Sequence, residues 1–376
     1  MAGIYLHIPF CKQRCTYCDF YKEIAPEHVD ELVNTLITEL RLRKDYLKGH
    51  SISTIYFGGG TPSVLNYSQF KNIFDEIFHL FEVDVNPEIT MEANPDDLTV
   101  TYLESLSPLP FNRISIGIQS FDDDDLIKIN RRHNSQQAID AVKNAKTAGF
   151  NNISIDLIYA LPGQSIDNWK KQLENAFALN VEHISAYGLT YEKGTELWRQ
   201  RNKGLLSVVE DEVTIQMYEY MLLKMSENNY EAYEISNFSK SGYRSQHNSA
   251  YWKFIPYLGI GPSAHSFDGN SRQWNVASVK KYMERVTSGN IYYEKEILSI
   301  QDSYNDYIMV ALRTAEGIYL NHVKDKFGNE YLTDCLNNAM IYVQSKDLII
   351  EDERLYLSQK GIQISNLIIM ELMKTD

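Results

Sequence analysis

Short apolar runs rich in β-branched residues recur along the first half of the chain, and each leads through a turn into a stretch with helical spacing. The six runs are IYLHI (4–8), STIYF (53–57), EITME (88–92), RISIGI (113–118), ISIDLIY (153–159) and HISAYGL (183–189). Between them, stretches such as SQFKNIFDEIFHLF carry apolar residues three and four positions apart, which is typical of an amphipathic helix. Strands that alternate with helices predict an α/β fold with a parallel sheet. Six such units favour a partial (β/α)6 barrel, in which functional residues lie at the C-terminal ends of the strands.

The alternation stops near residue 200. The stretch VVEDEVTIQMYEYMLLKMSE predicts a long helix, and an aromatic and glycine-rich stretch follows over 230–275. The end of the chain predicts helices and a hairpin at LIIEDERLYLSQKGI. We therefore expect a barrel over 1–200, a flanking segment over 201–295, and a smaller, mainly helical, winged-helix-like domain over 296–376.

The net charge and the lengths of the apolar runs limit which partners and which cellular locations are expected. The net charge of -14 argues against nucleic acid as the main partner. The winged-helix-like region does not change this, because residues 301–376 hold 7 Lys and Arg against 12 Asp and Glu. No run approaches the roughly eighteen apolar residues of a membrane span, which leaves peripheral membrane contact open. The start, MAGIYLHIPF, lacks the features of an export signal, so a cytoplasmic location is expected.

Three cysteines crowd into FCKQRCTYCDF (10–20): Cys11, Cys15 and Cys18. A four-iron cluster needs one external ligand for each iron. Three thiolates would therefore leave one iron open to a small molecule. The alternative is a zinc site, for which His7 or His28 would have to serve as fourth ligand. The spacing favours the cluster. Cys335 lies in a helical pattern, YLTDCLNNAM, and is expected to be a small buried hydrophobe.

Several other motifs fall at or just after predicted strands. Gly58, Gly59 and Gly60 form a turn that lets the backbone approach a ligand closely. Glu92, Gln119 and Asp156 are each expected at or just past the end of a predicted strand, and Arg131 lies in a following loop–helix region. Taken singly, each of these is more simply a helix cap or a surface ion pair.

Taken together, the motifs resemble the radical S-adenosylmethionine (SAM) superfamily, and within it the oxygen-independent coproporphyrinogen dehydrogenases and their HemW-type relatives. The matching stretches are YLHIPFCKQRCTYCDF, FGGGTPS, MEANPDDL, RISIGIQSFDD, RRHN, IDLIYALPGQ, YEISNF, HNSAYW and LGIGPSAHSF. The resemblance implies a [4Fe–4S] cluster whose open iron is chelated by the amino and carboxylate groups of SAM.

The resemblance also implies roles for individual residues. It places the methionine part of SAM at Gly59, Gly60 and Thr61. It implies that Glu92, Gln119 and Asp156 bind the nucleoside and that Arg131 binds the SAM carboxylate. Tyr5 and Tyr17 match positions near the adenine and the cluster.

Two departures from the dehydrogenases favour the HemW-type haem chaperones, which pass haem to acceptor proteins of the respiratory chain. The dehydrogenases carry a further cysteine where this chain has Phe20, and they have an extension ahead of the first strand, which here begins at Ile4. The motif HNSAYW (247–252) is the one associated with haem in HemW-type proteins, so His247 is the candidate axial ligand. His265 is a less specific candidate.

Two alternative functions remain at this point. One is SAM-dependent radical decarboxylation of coproporphyrinogen. The other is electron transfer by an iron–sulfur protein without a substrate, against which the SAM-like motifs count.

Overall fold

The computed structural model describes residues 1–24, 27–289 and 293–375. Strands and helices alternate through the first half. In chain order the elements of this half are β1 (Ala2–Ile8), β2 (Phe10–Cys11), β3 (Glu23–Ile24), α1 (Val29–Leu42), β4 (Ile52–Gly59), α2 (Tyr67–Leu80), β5 (Val83–Ala93), α3 (Val100–Leu106), β6 (Arg113–Gln119), α4 (Asp123–Lys128), α5 (Ser135–Thr147), β7 (Ile153–Tyr159), α6 (Ile166–Ala178) and β8 (His183–Gly188).

The six strands expected from the sequence lie side by side and parallel, in the order β1-β4-β5-β6-β7-β8. This confirms the α/β fold and the partial (β/α)6 barrel. Helix starts follow the local sequence: for example, Asn66 and Gln69 form a capping box at α2. The acidic run 122–125 begins α4, where Asp122 accepts bonds from two backbone amides.

Side chains alternate along the parallel strands between a helix-covered outer face and the barrel interior. On β1, Ile4 and Leu6 are fully buried in the main apolar core. The residues between them point the other way, and there Tyr5 bonds the ring of His7. Because the same period-two alternation holds on each strand, the outer face is apolar and the interior carries polar groups such as Glu92.

The middle of the chain adds strands that the sequence did not predict. Its elements are α7 (Glu196–Asn202), α8 (Asp211–Glu227), β9 (Glu231–Ala232), β10 (Asn237–Ser239), α9 (Gln246–Trp252), β11 (Tyr257–Ile260), β12 (His265–Phe267), β13 (Ser271–Asn275), α10 (Val279–Thr287) and β14 (Tyr293–Ile297). β11 is a seventh parallel strand, paired with β1. β12, β13 and β14 continue antiparallel beyond it, and β10 and β9 extend the other edge beyond β8.

These strands belong to the same sheet as those of the first half. The proposed domain boundaries near residues 200 and 295 stay a prediction. The predicted long helix is confirmed as α8.

The last part of the chain packs around a core of its own. Its elements are α11 (Ile300–Ala311), β15 (Ile318–Tyr319), α12 (Leu320–Phe327), α13 (Asn329–Gln344), β16 (Leu348–Glu351), β17 (Arg354–Leu357), α14 (Gln359–Ile362) and α15 (Ser365–Leu372). The expected hairpin is β16–β17, and β15 adds a third strand to it. The hairpin does not end the chain's regular structure, because α14 and α15 follow. Cys335 lies buried within this core, as expected.

Among the helices of the described residues, none combines the length and apolar character needed to cross a membrane. The expected cytoplasmic location stays a prediction.

Candidate functional site

A cavity of about 640 Å³ opens where the six parallel strands end. Eleven of the thirteen residues singled out in the sequence line it, and they come from the cysteine loop and from four of the strands or the loops that follow them. They are Cys11, Cys15, Tyr17, Cys18, Gly59, Gly60, Thr61, Glu92, Gln119, Arg131 and Asp156. The fold therefore gathers motifs that lie up to 145 residues apart in the sequence into one site. Tyr5 and His247 lie outside this lining.

The three cysteines face the cavity on one short loop. Cys11 is buried at the end of β2, and the hydroxyl of Thr61 lies 3.4 Å from its Sγ. Burial raises the pKa of the Cys11 thiol. Cys15 and Cys18 are partly exposed and free of disulfides. The loop thus presents three thiols to one space.

Contacts on both sides hold this loop in place. Lys12 bonds Asp97 at 2.7 Å. On the other side, the Gln13 amide donates to Asn130, and the Thr16 amide donates to the Ile129 carbonyl at 3.1 Å. A ligand-binding loop anchored in this way keeps its thiols in position before anything binds.

The geometry counts against the zinc alternative. Within the part of the chain that the structure describes, no three His, Cys, Asp or Glu side chains are grouped so as to hold a single metal ion. Neither candidate fourth ligand lines the cavity with the cysteines: His7 bonds Tyr5 and the Tyr21 carbonyl, and His28 pairs with Glu31. Thiols spaced around a cavity suit a multi-iron cluster instead.

Arg131 lies in the loop between α4 and α5 and reaches back to the cysteine loop. Its guanidinium donates to Cys15 Sγ at 3.3 Å, and to Asn94 Oδ1 and the Gly117 carbonyl, both at 2.6 Å. Its Nε is buried and has no partner among the described residues. A buried, unsatisfied donor is costly, and a ligand carboxylate in the cavity would satisfy it. The site therefore fits a small anionic group beside the cysteines.

Two carboxylates, Glu92 and Asp156, line the cavity from the barrel interior. Glu92 accepts from the Tyr56 hydroxyl at 2.8 Å and from the Gly59 amide at 3.1 Å. Burial is the main cause that raises its pKa to about 7. Asp156 accepts from Ser115 at 3.3 Å, and burial raises its pKa as well. The expectation that Asp156 falls at a strand end was wrong: it lies mid-way along β7 and reaches the cavity because it points inward.

The raised pKa of Glu92 predicts a pH-dependent cost to stability. In the unfolded chain this carboxyl loses its proton near pH 4.5, and in the folded chain near pH 7. The unfolding free energy therefore falls as the pH rises between these values and levels off above them. Glu92→Gln removes this titrating group. The unfolding free energy of the variant minus that of wild type should therefore increase by about 2 kcal/mol from pH 5.5 to pH 8.5, at 1.36 kcal/mol per pKa unit.

Urea unfolding of the two metal-free proteins at both pH values measures this. Glu76→Gln is the control, because Arg41 lowers the pKa of the Glu76 carboxyl below its ordinary value, so this group stays ionised at both pH values. A difference between Glu92→Gln and wild type that does not change with pH would contradict the prediction.

The glycine turn is needed by the protein itself as well as by a ligand. A Cβ on Gly60 would lie 2.7 Å from the carbonyl carbon of Pro9. Gly59 has a φ of +106°, and a Cβ there would lie 2.6 Å from the ring of His7. The turn can therefore pass close to the cysteine loop only without side chains, which brings Thr61 to Cys11.

Gln119 and Tyr17 also line the cavity, as predicted, whereas Tyr5 does not reach it. Gln119 ends β6 with a φ of +68°, a strained conformation for a residue other than glycine, of the kind found at functional sites. Tyr17 lines the cavity between Cys15 and Cys18. Tyr5 instead lies deeper in the barrel, where it stacks on Tyr56 with ring centroids 6.1 Å apart. Its predicted place near the adenine stays a prediction.

His247 lies at the opposite end of the barrel from the cysteines. It is buried at the start of α9, against the first residues of β1 and β4. Nδ1 lies 2.8 Å from Thr54 Oγ1, and Nε2 lies 2.9 Å from the Tyr251 hydroxyl. Burial lowers the pKa of His247 to about 3, so the ring is neutral. The other histidine candidate, His265, stacks on Trp274 in the β12–β13 hairpin.

Further residues, which the sequence motifs did not single out, hold the site side chains in position. Asn94 bonds both Arg131 and Thr61, and Ser115 bonds Asp156. A signal was present for each, because Asn94 lies in MEANPDDL and Ser115 occupies an inward position of RISIGI. Tyr187, near the end of β8, and Glu192, in the loop after it, also line the cavity, and no motif marked them as site residues.

Comparison with known proteins identifies the family. The model of the radical SAM superfamily matches residues 5–175. The haem chaperone HemW of Lactococcus lactis is 34% identical over 370 residues, covering 96% of this chain and 94% of the relative. HemW of Bacillus subtilis is also 34% identical, with 97% of each chain covered. The chain belongs to the HemW family.

A solved structure agrees on the fold. Coproporphyrinogen III oxidase (HemN) of Escherichia coli matches with a TM-score of 0.86 at 20% identity, covering 99% of this chain and 90% of that one. Membership of the radical SAM superfamily implies a [4Fe–4S] cluster and SAM. The three thiols and the unpaired Arg131 Nε in one cavity fit both groups.

Proposed function

We propose that this HemW-family chain is a haem chaperone on a radical SAM scaffold. It binds a [4Fe–4S] cluster, SAM and haem, and delivers the haem to acceptor proteins of the respiratory chain. The observation that carries the proposal is the near full-length identity to proteins named haem chaperones. The likeness to HemN is at a level that supports the fold alone, so it does not favour an oxidase.

Cys11, Cys15 and Cys18 hold the cluster in this proposal. Arg131 binds the SAM carboxylate through its unpaired Nε, and Glu92 and Asp156 bind the ribose hydroxyls. Gly59, Gly60 and Thr61 border the methionine part, while Gln119 and Tyr17 complete the lining. When bound, the cluster and SAM supply radical chemistry, and the protein's own residues orient the two groups.

Haem is the cargo, and His247 is its proposed axial ligand. A neutral imidazole is a standard ligand for haem iron, and His247 is neutral across the physiological range. Tyr251 and Trp252 lie on the same helix and offer aromatic surface to a macrocycle. The indole N–H of Trp252 is buried and has no partner among the described residues, and a haem propionate would satisfy it.

The test is a haem titration of the reconstituted protein and of His247→Ala under anaerobic conditions. We expect the variant to lose the iron–histidine spectrum while keeping some porphyrin affinity, because the aromatic residues remain. His265→Ala is the matched control and should keep the wild-type spectrum. If His247→Ala gives reduced and oxidised spectra identical to wild type, His247 is not the ligand.

A further inference from the structure

The predicted haem ligand is fully engaged within the protein. The Thr54 hydroxyl is hydrogen-bonded to Nδ1 of His247, and the Tyr251 hydroxyl is hydrogen-bonded to Nε2. The ring also stacks on Tyr56 with centroids 4.9 Å apart. Iron needs the lone pair of one ring nitrogen, so one of the two hydrogen bonds must break before His247 can bind haem.

The two bonds are not equivalent. Thr54 lies on β4 inside the sheet, and Gly3 of the neighbouring β1 lies against this side of the ring: a Cβ on Gly3 would approach the imidazole to 3.3 Å. No macrocycle can enter there without opening the sheet. Tyr251, by contrast, lies one turn further along the helix that carries His247. The Nε2 side is therefore the one that can be freed.

Contacts at both ends hold the helix α9 in place. At its start, the Glu88 carboxylate on β5 accepts the backbone amides of Gln246 and His247, both at 2.9 Å. Just before the helix, Arg244 bonds Glu316 of the C-terminal region at 2.7 Å. Just after it, Phe254 packs against the core of that region. A shift of the C-terminal region would thus act on both ends of α9.

We propose that Tyr251 is a gating residue for haem: its hydroxyl occupies the imidazole nitrogen that the iron requires, and ligation proceeds only when α9 releases that bond. This inference rests on the proposed haem-binding function. Tyr251 competes with iron for Nε2, whereas Thr54 supports ligation by holding Nδ1 and so fixing the ring and its tautomer.

A comparison within the same barrel provides the control. His183 on β8 is bonded in the same way, with Nδ1 2.7 Å from Ser154 Oγ and Nε2 2.7 Å from the Tyr233 hydroxyl. Both tyrosine hydroxyls therefore bond a buried imidazole, but only His247 lies in the motif associated with haem. Tyr233→Phe removes the same kind of bond at a histidine with no predicted ligand role.

The experiment titrates haem into the reconstituted wild-type, Tyr251→Phe, Thr54→Val and Tyr233→Phe proteins. Loss of a competing hydrogen bond of about 1 kcal/mol corresponds to roughly fivefold tighter binding for Tyr251→Phe, with the iron–histidine spectrum kept. Thr54→Val should weaken binding by about tenfold, as loss of a ligand's supporting bond typically does. Tyr233→Phe should match wild type.

The opposite signs separate a gate from a purely structural role, in which Tyr251→Phe and Thr54→Val would both weaken binding. Either that result or unchanged affinity in Tyr251→Phe would overturn the inference. The inference would also be overturned if Tyr251→Phe raised haem affinity by the same factor in the His247→Ala background as in wild type. A wild-type spectrum in His247→Ala alone would instead show that the proposed ligand is wrong.

Discussion

Replacing Cys15 by alanine is expected to abolish iron uptake. The wild-type chain should take up about four irons on anaerobic reconstitution with iron and sulfide. Cys15 is one of three thiols that share a single cavity, and Arg131 donates a hydrogen bond to its Sγ. A chain with only two of the three thiols cannot replace the missing ligand, because the described residues around the cavity offer no further thiol or imidazole.

Iron and sulfide content, together with the visible absorption of the cluster, measure this outcome. Cys335→Ala is the matched control, since that thiol is buried in the core of the C-terminal region. It should leave the iron content unchanged. Wild-type protein that is purified anaerobically with zinc, and then takes up no iron, would contradict the expected four-iron cluster.

Arg131→Gln should weaken SAM binding by roughly 10- to 100-fold, which corresponds to the 1.5–3 kcal/mol of a hydrogen bond to a charged group. The physical reason is that glutamine cannot supply the charged, planar donor set that matches a carboxylate. The buried Nε, which has no protein partner among the described residues, is the group that SAM would use. Anaerobic equilibrium dialysis of the reconstituted protein measures the affinity.

Arg132→Gln is the control for this prediction. Arg132 is adjacent in sequence but pairs with Asp96 and Asp97, away from the cavity lining. We expect its SAM affinity to match wild type, and both variants should retain their iron. Unchanged SAM affinity in Arg131→Gln, with the cluster intact, would show that the SAM carboxylate binds elsewhere.

The six parallel strands could be predicted because each is a continuous, β-branched run that is buried on its outer face. The seventh, β11, is only four residues long, contains Gly259 and follows Pro256, so its local pattern is that of a loop. It becomes a strand through its pairing with β1, more than 250 residues away. The strands β12 to β14 are likewise short and separated by turns, and their pairing is a tertiary effect.

The cavity could also be predicted, since the C-terminal ends of neighbouring parallel strands must meet. The position of His247 could not. Its partners Thr54 on β4 and Glu88 on β5 lie 193 and 159 residues away in the sequence, and no periodicity relates α9 to these two positions. The sequence therefore indicated that His247 matters, but only the fold placed it at the end of the barrel opposite the cysteines.

The most direct test of the proposed haem chaperone function is the amount of haem that the reconstituted protein retains with SAM present. Gel filtration under anaerobic conditions separates bound haem from free haem. We expect one haem per chain with a histidine-ligated spectrum. Haem that elutes free, while the same sample converts coproporphyrinogen to protoporphyrinogen over many turnovers, would contradict the proposed function.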